Sequence, residues 1–245
     1  MIEAEIPLET QDGTMSAFTT RPDEGGPFPV VFFFMDAPGK REELHDMARR
    51  IATTGYYVVL PNLYYRWRDH FELDFETGAN RDEMFSLMHK LSNAMVVSDT
   101  QALIDHVQHE ESADASRVGC VGYCMSGPFA LVVAAAHPER VRCAASVYGV
   151  RLAVDEDDSP HHSFGRAQAE LYIAAAETDE YAPPEMIARV ERAIAETGAR
   201  GRVEWYPGTH HGFAFPTRRG VFDKAAAERH WTRLHALFDR NLKGT

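Results

Sequence analysis

Two small residues flank a cysteine at the end of an apolar run, in the segment Arg117-Val118-Gly119-Cys120-Val121-Gly122-Tyr123-Cys124-Met125-Ser126-Gly127-Pro128. No other stretch constrains the fold as much. It reads as a buried strand, a sharp turn and a helix, with Cys124 at the apex: the G-x-Nu-x-small form of a nucleophile elbow. So tight a turn strains the apex backbone and brings neighbouring chain close, so the positions two before and two after must be small. Here they are Gly122 and Ser126. The turn presents the Cys124 sulfur to a cleft, and aims the N–H of Met125 and the positive end of the next helix at the same spot. Ser126 as the apex would have Cys124 before it and Pro128 after it, a poor fit to the steric rule. Cys120 and Cys143 lie inside apolar runs and read as core residues, the usual place of a free cysteine.

The rest of the chain supplies the setting for such a turn. Residues 2–8 and 13–20 flank Gln11-Asp12-Gly13 and predict an antiparallel hairpin. Continuous apolar runs at 29–35, 56–60, 117–121, 144–148 and 169–175 predict strands buried on both faces. Helical patterns cover 42–52, 81–107 (as one helix or two), 125–136, 184–197 (ended by Gly198) and 224–241. The last has Trp231, Leu234, Leu237 and Phe238 on its core face. Residues 202–206 predict one more strand, and 61–75 an aromatic loop. Strands alternating with helices predict an α/β fold, a mostly parallel central sheet with helices on both faces. No repeat or linker interrupts residues 1–245, which read as a single domain.

Charge and composition narrow the function. The 245 residues carry a formal charge of −12, against a nucleic-acid partner. The three cysteines cannot all pair and lack zinc-site spacing, so no metal is expected and a reducing, cytoplasmic setting is. The start, Met1-Ile2-Glu3-Ala4-Glu5, lacks the form of a signal peptide, and no apolar run approaches the roughly 20 residues that span a bilayer.

A thiolate nucleophile needs a base. With an elbow in an α/β sheet, the acid and then the histidine follow the nucleophile, each on a loop after a strand. The loop after 202–206 holds His210 and His211; His211, followed by Gly212-Phe213, is the first choice and His210 the second. The loop after 169–176 holds Glu177, Asp179 and Glu180; Asp179 is placed to reach an imidazole, with the two glutamates as competitors. After the run 29–35 come Asp36-Ala37-Pro38-Gly39. The N–H of Ala37 is the candidate second oxyanion donor. Asp36, at a strand's carboxyl end, would disfavour the Cys124 thiolate until substrate arrives.

These residues carry a resemblance. Met35-Asp36-Ala37-Pro38-Gly39, the run from Gly55 to Tyr64, Gly122-Tyr123-Cys124, the Asp179 turn and His211-Gly212-Phe213 appear in the order found in the dienelactone hydrolases, a family with the α/β-hydrolase fold. The resemblance implies a Cys124–Asp179–His211 triad. It also implies hydrolysis of a small ester or lactone through an acyl-thioester, without cofactor. Asp36 takes the place of an acid, usually glutamate, that contacts the resting cysteine. Where the family binds a substrate carboxylate with an arginine four residues after the histidine, this chain has Phe215, and Arg81 is the candidate second basic contact. Phe215 and the aromatic loop then predict a partly apolar pocket. A small-molecule substrate is the expected partner of a monomer or small homo-oligomer. The competing readings are a redox-active thiol protein and an inactive binding protein on the same fold.

Overall fold

The alternating start of the chain does form a hairpin. In the computed structural model, which describes residues 1–243, β1 (Ile2–Thr10) and β2 (Gly13–Arg21) pair antiparallel from Thr10↔Gly13 to Ile2↔Arg21. They belong to the first of two compact units, Met1–Val118. The same unit holds β3 (Phe28–Phe34), α1 (Glu42–Ala52), β4 (Tyr57–Pro61), α2 (Arg81–Lys90) and α3 (Asn93–His109). Its strand order is β1-β2-β4-β3, with β2 antiparallel and β3 parallel to β4. The parallel pair follows from composition, since β3 and β4 are apolar throughout and every residue but Pro29 is buried.

Helix bounds follow local chemistry. In α1, Leu44, Met47, Ala48 and Ile51 form the buried stripe, and acids in the first turn with arginines in the last suit the helix dipole. The helical pattern over 81–107, read as one helix or two, is two. Leu91 turns extended at ψ 140°, and the Ser92 hydroxyl then caps α3 by accepting from Met95 N–H at 3.2 Å.

The second unit begins at Gly119, inside β5 (Ala113–Tyr123). It continues through α4 (Gly127–Ala136), β6 (Val141–Val147), β7 (Glu170–Thr178), α5 (Pro184–Thr197), β8 (Gly201–His210) and α6 (Lys224–Leu242). Strands β6, β7 and β8 lie side by side and parallel. Helix α4 is apolar all round and buried from Gly127 to Ala135, as a helix covered by chain on every side must be. Gly198 ends α5 in the left-handed conformation at φ +68°. Asp223 caps α6 by accepting from Ala226 N–H at 2.8 Å, and the predicted Trp231, Leu234, Leu237 and Phe238 are its buried face.

Two elements differ from the sequence reading. A short 3₁₀ segment, Pro160–Arg166, has no apolar period to announce it. Strand β8 runs on through Pro207-Gly208 to His210, although that dipeptide reads as a turn. A proline is tolerated because β8 ends the strand order. The register is irregular between Ala176 and Thr178, and the Gly208 N–H is taken up by the Glu177 carboxylate at 2.6 Å. Among the described residues, no helix is long and apolar enough to cross a membrane.

Candidate active site

Cys124 sits at φ +53°, a left-handed conformation that a side chain rarely adopts and that surrounding structure must hold. The neighbours hold it sterically. A β-carbon on Gly122 would lie 2.0 Å from the Ser126 carbonyl oxygen, and one on Gly127 would lie 2.4 Å from Gly149 Cα. The turn therefore closes only with glycine at both places. Hydrogen bonds finish it. The buried Ser126 hydroxyl accepts from Tyr123 N–H at 3.0 Å and donates to the Tyr123 carbonyl at 3.1 Å. The Cys124 carbonyl accepts from Val150 N–H at 3.1 Å. Ser126, the competing nucleophile, is thus fully buried and engaged on both sides, whereas Cys124 is partly exposed. Cys120 and Cys143 are fully buried, and burial pushes both thiols up, away from the reactive thiolate.

The β7 and β8 ends bring Asp179 to His211, the first residue past β8. Asp179 Oδ2 is 2.7 Å from His211 Nδ1. The other oxygen, Oδ1, accepts from the N–H groups of Tyr181 at 2.9 Å and Ala182 at 3.2 Å. A carboxylate only accepts here, so Nδ1 carries a hydrogen and Nε2 is left for chemistry. Nε2 is buried, and Cys124 is the side chain left to it. Burial pulls the ring's pKa down, but the Coulombic attraction of Cys124, the hydrogen bond that the ring donates to Asp179, the hydrogen bond with Cys124 and the Asp179 charge together push it up to about 10. Tyr148 meets the imidazole edge-to-face at 5.1 Å and Tyr181 at 5.0 Å. Tyr148 is buried, while Tyr181 is 50% exposed.

The competing residues lie elsewhere. His210 is exposed at the last position of β8. Glu177 holds Gly208 N–H, and Glu180 is exposed. Met125 is buried directly after Cys124, at the first turn leading into α4.

Phe215 is placed differently from the expectation of a pocket wall. It has no exposed surface, and packs on Tyr123 at 5.3 Å and Tyr148 at 6.2 Å, with the Arg218 guanidinium over its ring. A ring that water cannot touch does not touch a substrate, so Phe215 braces the aromatic layer under the site. The exposed aromatic surface beside His211 is that of Tyr181, which sequence reading did not single out. Its place two residues after a candidate acid was the available signal.

Three further candidates belong to the first unit. Asp36 is fully buried and grips Arg41 through both oxygens, at 2.5 and 3.3 Å; Arg41 also binds Glu43 at 2.7 Å and the Gly39 carbonyl at 3.1 Å. The charge read as a bare carboxylate is therefore paired, and Arg41 is the partner that sequence reasoning missed. Ala37 is buried, with its carbonyl accepting from the Tyr64 hydroxyl at 2.9 Å. Gly39 makes this turn possible, since a β-carbon there would fall 2.0 Å from the Phe71 carbonyl oxygen. Arg81 is exposed at the first position of α2.

Comparison with known proteins matches residues 15–242 to the model of the dienelactone hydrolase family. A Methylorubrum extorquens protein provisionally named carboxymethylenebutenolidase is 28% identical over 243 residues, covering 97% of this chain and 81% of the relative. The carboxymethylenebutenolidase of Rhodococcus opacus is 25% identical over 219 residues, covering 87% and 81%. A crystal structure from Klebsiella pneumoniae, provisionally assigned as a dienelactone hydrolase, superposes with a TM-score of 0.86 at 24% identity, covering 98% of each chain.

Proposed function

We propose, from the premise that this chain belongs to the dienelactone hydrolase family, that it hydrolyses a small ester or lactone with Cys124 as nucleophile, His211 as acid and base, and Asp179 as the group that orients and charges His211. The observation that carries this reading is the His211 ring. One nitrogen is fixed by Asp179 at 2.7 Å, the other is left for Cys124, and the attraction and hydrogen bonding of Cys124 and Asp179 together hold the ring's pKa up. A thiolate–imidazolium pair is the resting state such a nucleophile needs.

The steps follow from these groups. The thiolate attacks the carbonyl carbon, and the oxyanion forms against the N–H of Met125 and the start of the helix behind it. The tetrahedral adduct collapses to a thioester. The departing alkoxide takes the Nε2 proton of the His211 imidazolium. Neutral His211 then removes a proton from water, which attacks the thioester. The acid leaves and the thiolate returns, with the proton back on His211. Asp179 accepts from three donors and keeps the imidazole oriented throughout. A lactone suits the scheme, and the relatives' name denotes one, but the half-exposed Tyr181 beside His211 favours substrates with an apolar part.

The test is Cys124→Ala against a panel of p-nitrophenyl esters and simple lactones, with circular dichroism to monitor the fold. Turnover should fall to the solution background in a folded variant. Wild-type turnover by that variant would refute the assignment.

A further inference from the structure

Tyr123, the residue before the nucleophile, is anchored at its backbone and at its phenol, and the second anchor lies outside the triad. Its hydroxyl is 2.8 Å from Nε2 of His230, and both side chains are fully buried. Nδ1 of His230 is 2.7 Å from the Ala227 carbonyl. A carbonyl only accepts, so Nδ1 carries the hydrogen. In the neutral ring Nε2 is then a lone pair, and the Tyr123 hydroxyl donates to it. The bond joins residues 107 apart in sequence, so it ties α6 to the last residue of β5.

The ring of Tyr123 carries the tie further. It packs on Tyr148 at 5.9 Å and on Phe215 at 5.3 Å. Tyr148 in turn meets the His211 imidazole at 5.1 Å. Tyr123 is thus joined to Cys124 through the backbone and linked to His211 through the one ring of Tyr148. A backbone at φ +53° persists only where its surroundings over-determine it. Packing alone does not call for a hydroxyl, because phenylalanine would fill the same space. The phenol is there for the hydrogen bond.

We propose that the Tyr123–His230 hydrogen bond is a positioning device for the reaction, setting where the Cys124 sulfur stands and bracing His211 through Tyr148. Neither residue touches substrate. The inference rests on Cys124 and His211 being the reacting pair. A nucleophile held to its line of attack by a neighbour's side chain loses rate, not affinity, when that side chain is freed; a displacement of 1 Å costs up to about 100-fold.

Tyr123→Phe removes the hydroxyl and keeps the ring. The expected result is a fall in kcat of about tenfold with KM within about twofold. His230→Leu should lose kcat to a similar degree. His230→Gln, whose amide oxygen can accept where Nε2 did, should return kcat to within about threefold of wild type. Adding Tyr123→Phe to His230→Leu should cost nothing more, because one bond is removed once. Circular dichroism and thermal unfolding establish that each variant is folded, and if Tyr123→Phe does not fold, the Gln and Leu pair at 230 carries the test. If wild type hydrolyses no ester in the panel, the rate of Cys124 alkylation by iodoacetamide replaces kcat, with the same pattern expected. Wild-type kcat in Tyr123→Phe, a loss confined to KM, or equal behaviour of Gln and Leu at 230 would each overturn the proposal.

Discussion

Replacing Asp179 by asparagine changes one atom and leaves the shape of its turn. In the native protein Oδ1 accepts from two backbone N–H groups, at 2.9 and 3.2 Å, and Oδ2 accepts from His211 Nδ1 at 2.7 Å. The amide has a single oxygen. It stays on the two backbone donors, since an NH₂ there would face both of them. The NH₂ then points at Nδ1, and two donors cannot share that contact. The imidazole must present a lone pair at Nδ1 and move its hydrogen to Nε2. In that tautomer neutral His211 cannot take a proton from water, so the thioester is not released. The same substitution in a serine triad costs about 10⁴ in kcat, which is about 5 kcal/mol of barrier. A loss of about 10³ to 10⁴ is expected here, larger in thioester release than in acylation. The charge matters separately. Asp179 contributes both a hydrogen bond and a Coulombic attraction to holding His211 at about 10, so the ring's titration midpoint should drop in the variant. The assay is pre-steady-state kinetics on a p-nitrophenyl ester together with NMR titration of ¹⁵N-labelled histidine. A variant within tenfold of wild type, with an unmoved His211 midpoint, would refute the reasoning.

Other predictions follow from the elbow and the helix caps. Gly122→Ala sets a methyl 2.0 Å from the Ser126 carbonyl, so the turn must open; stability should fall by about 2–3 kcal/mol in urea unfolding and turnover should be lost. Ser126→Ala deletes both bonds to the Tyr123 backbone. It should cost about 1–2 kcal/mol and lower kcat while leaving the acyl adduct on Cys124, whereas an adduct lost with Ser126 would return the nucleophile to serine. Asp223→Ala removes the cap of α6 and should cost about 1 kcal/mol in stability without touching KM, read by thermal unfolding and steady-state kinetics.

How much could be seen in the sequence depended on how local the cause was. The elbow is a run of small residues around a cysteine, and its steric rule acts within five positions, so Gly122 and Cys124 were legible. Helix α5 was legible to the residue, because proline starts it and a left-handed glycine stops it. Asp179 and His211 are within reach because strand ends deliver them, while their 2.7 Å pairing, which sets them apart from the neighbouring carboxylates and imidazole, belongs to the fold. The extension of β8 was hidden because Pro207-Gly208 carries turn chemistry, and only its place at the end of the strand order tolerates it. The Arg41 partner of Asp36 was invisible, since nothing local announces a pair five residues apart in a loop. Phe215 was misplaced because spacing from His211 fixes its position along the chain but not its burial. His230 gave no signal at all, as a lone histidine on an apolar helix face resembles any core residue until its partner is seen.

The most direct test of the account is intact-mass and peptide mapping after rapid acid quench of the protein mixed with a p-nitrophenyl ester. The account predicts a transient increment of one acyl group on the peptide carrying Cys124, appearing with p-nitrophenol and decaying at the steady-state rate. It also predicts accumulation of that adduct in Asp179→Asn. An acyl group on any other residue, or product release at the wild-type rate from Cys124→Ala, would contradict it.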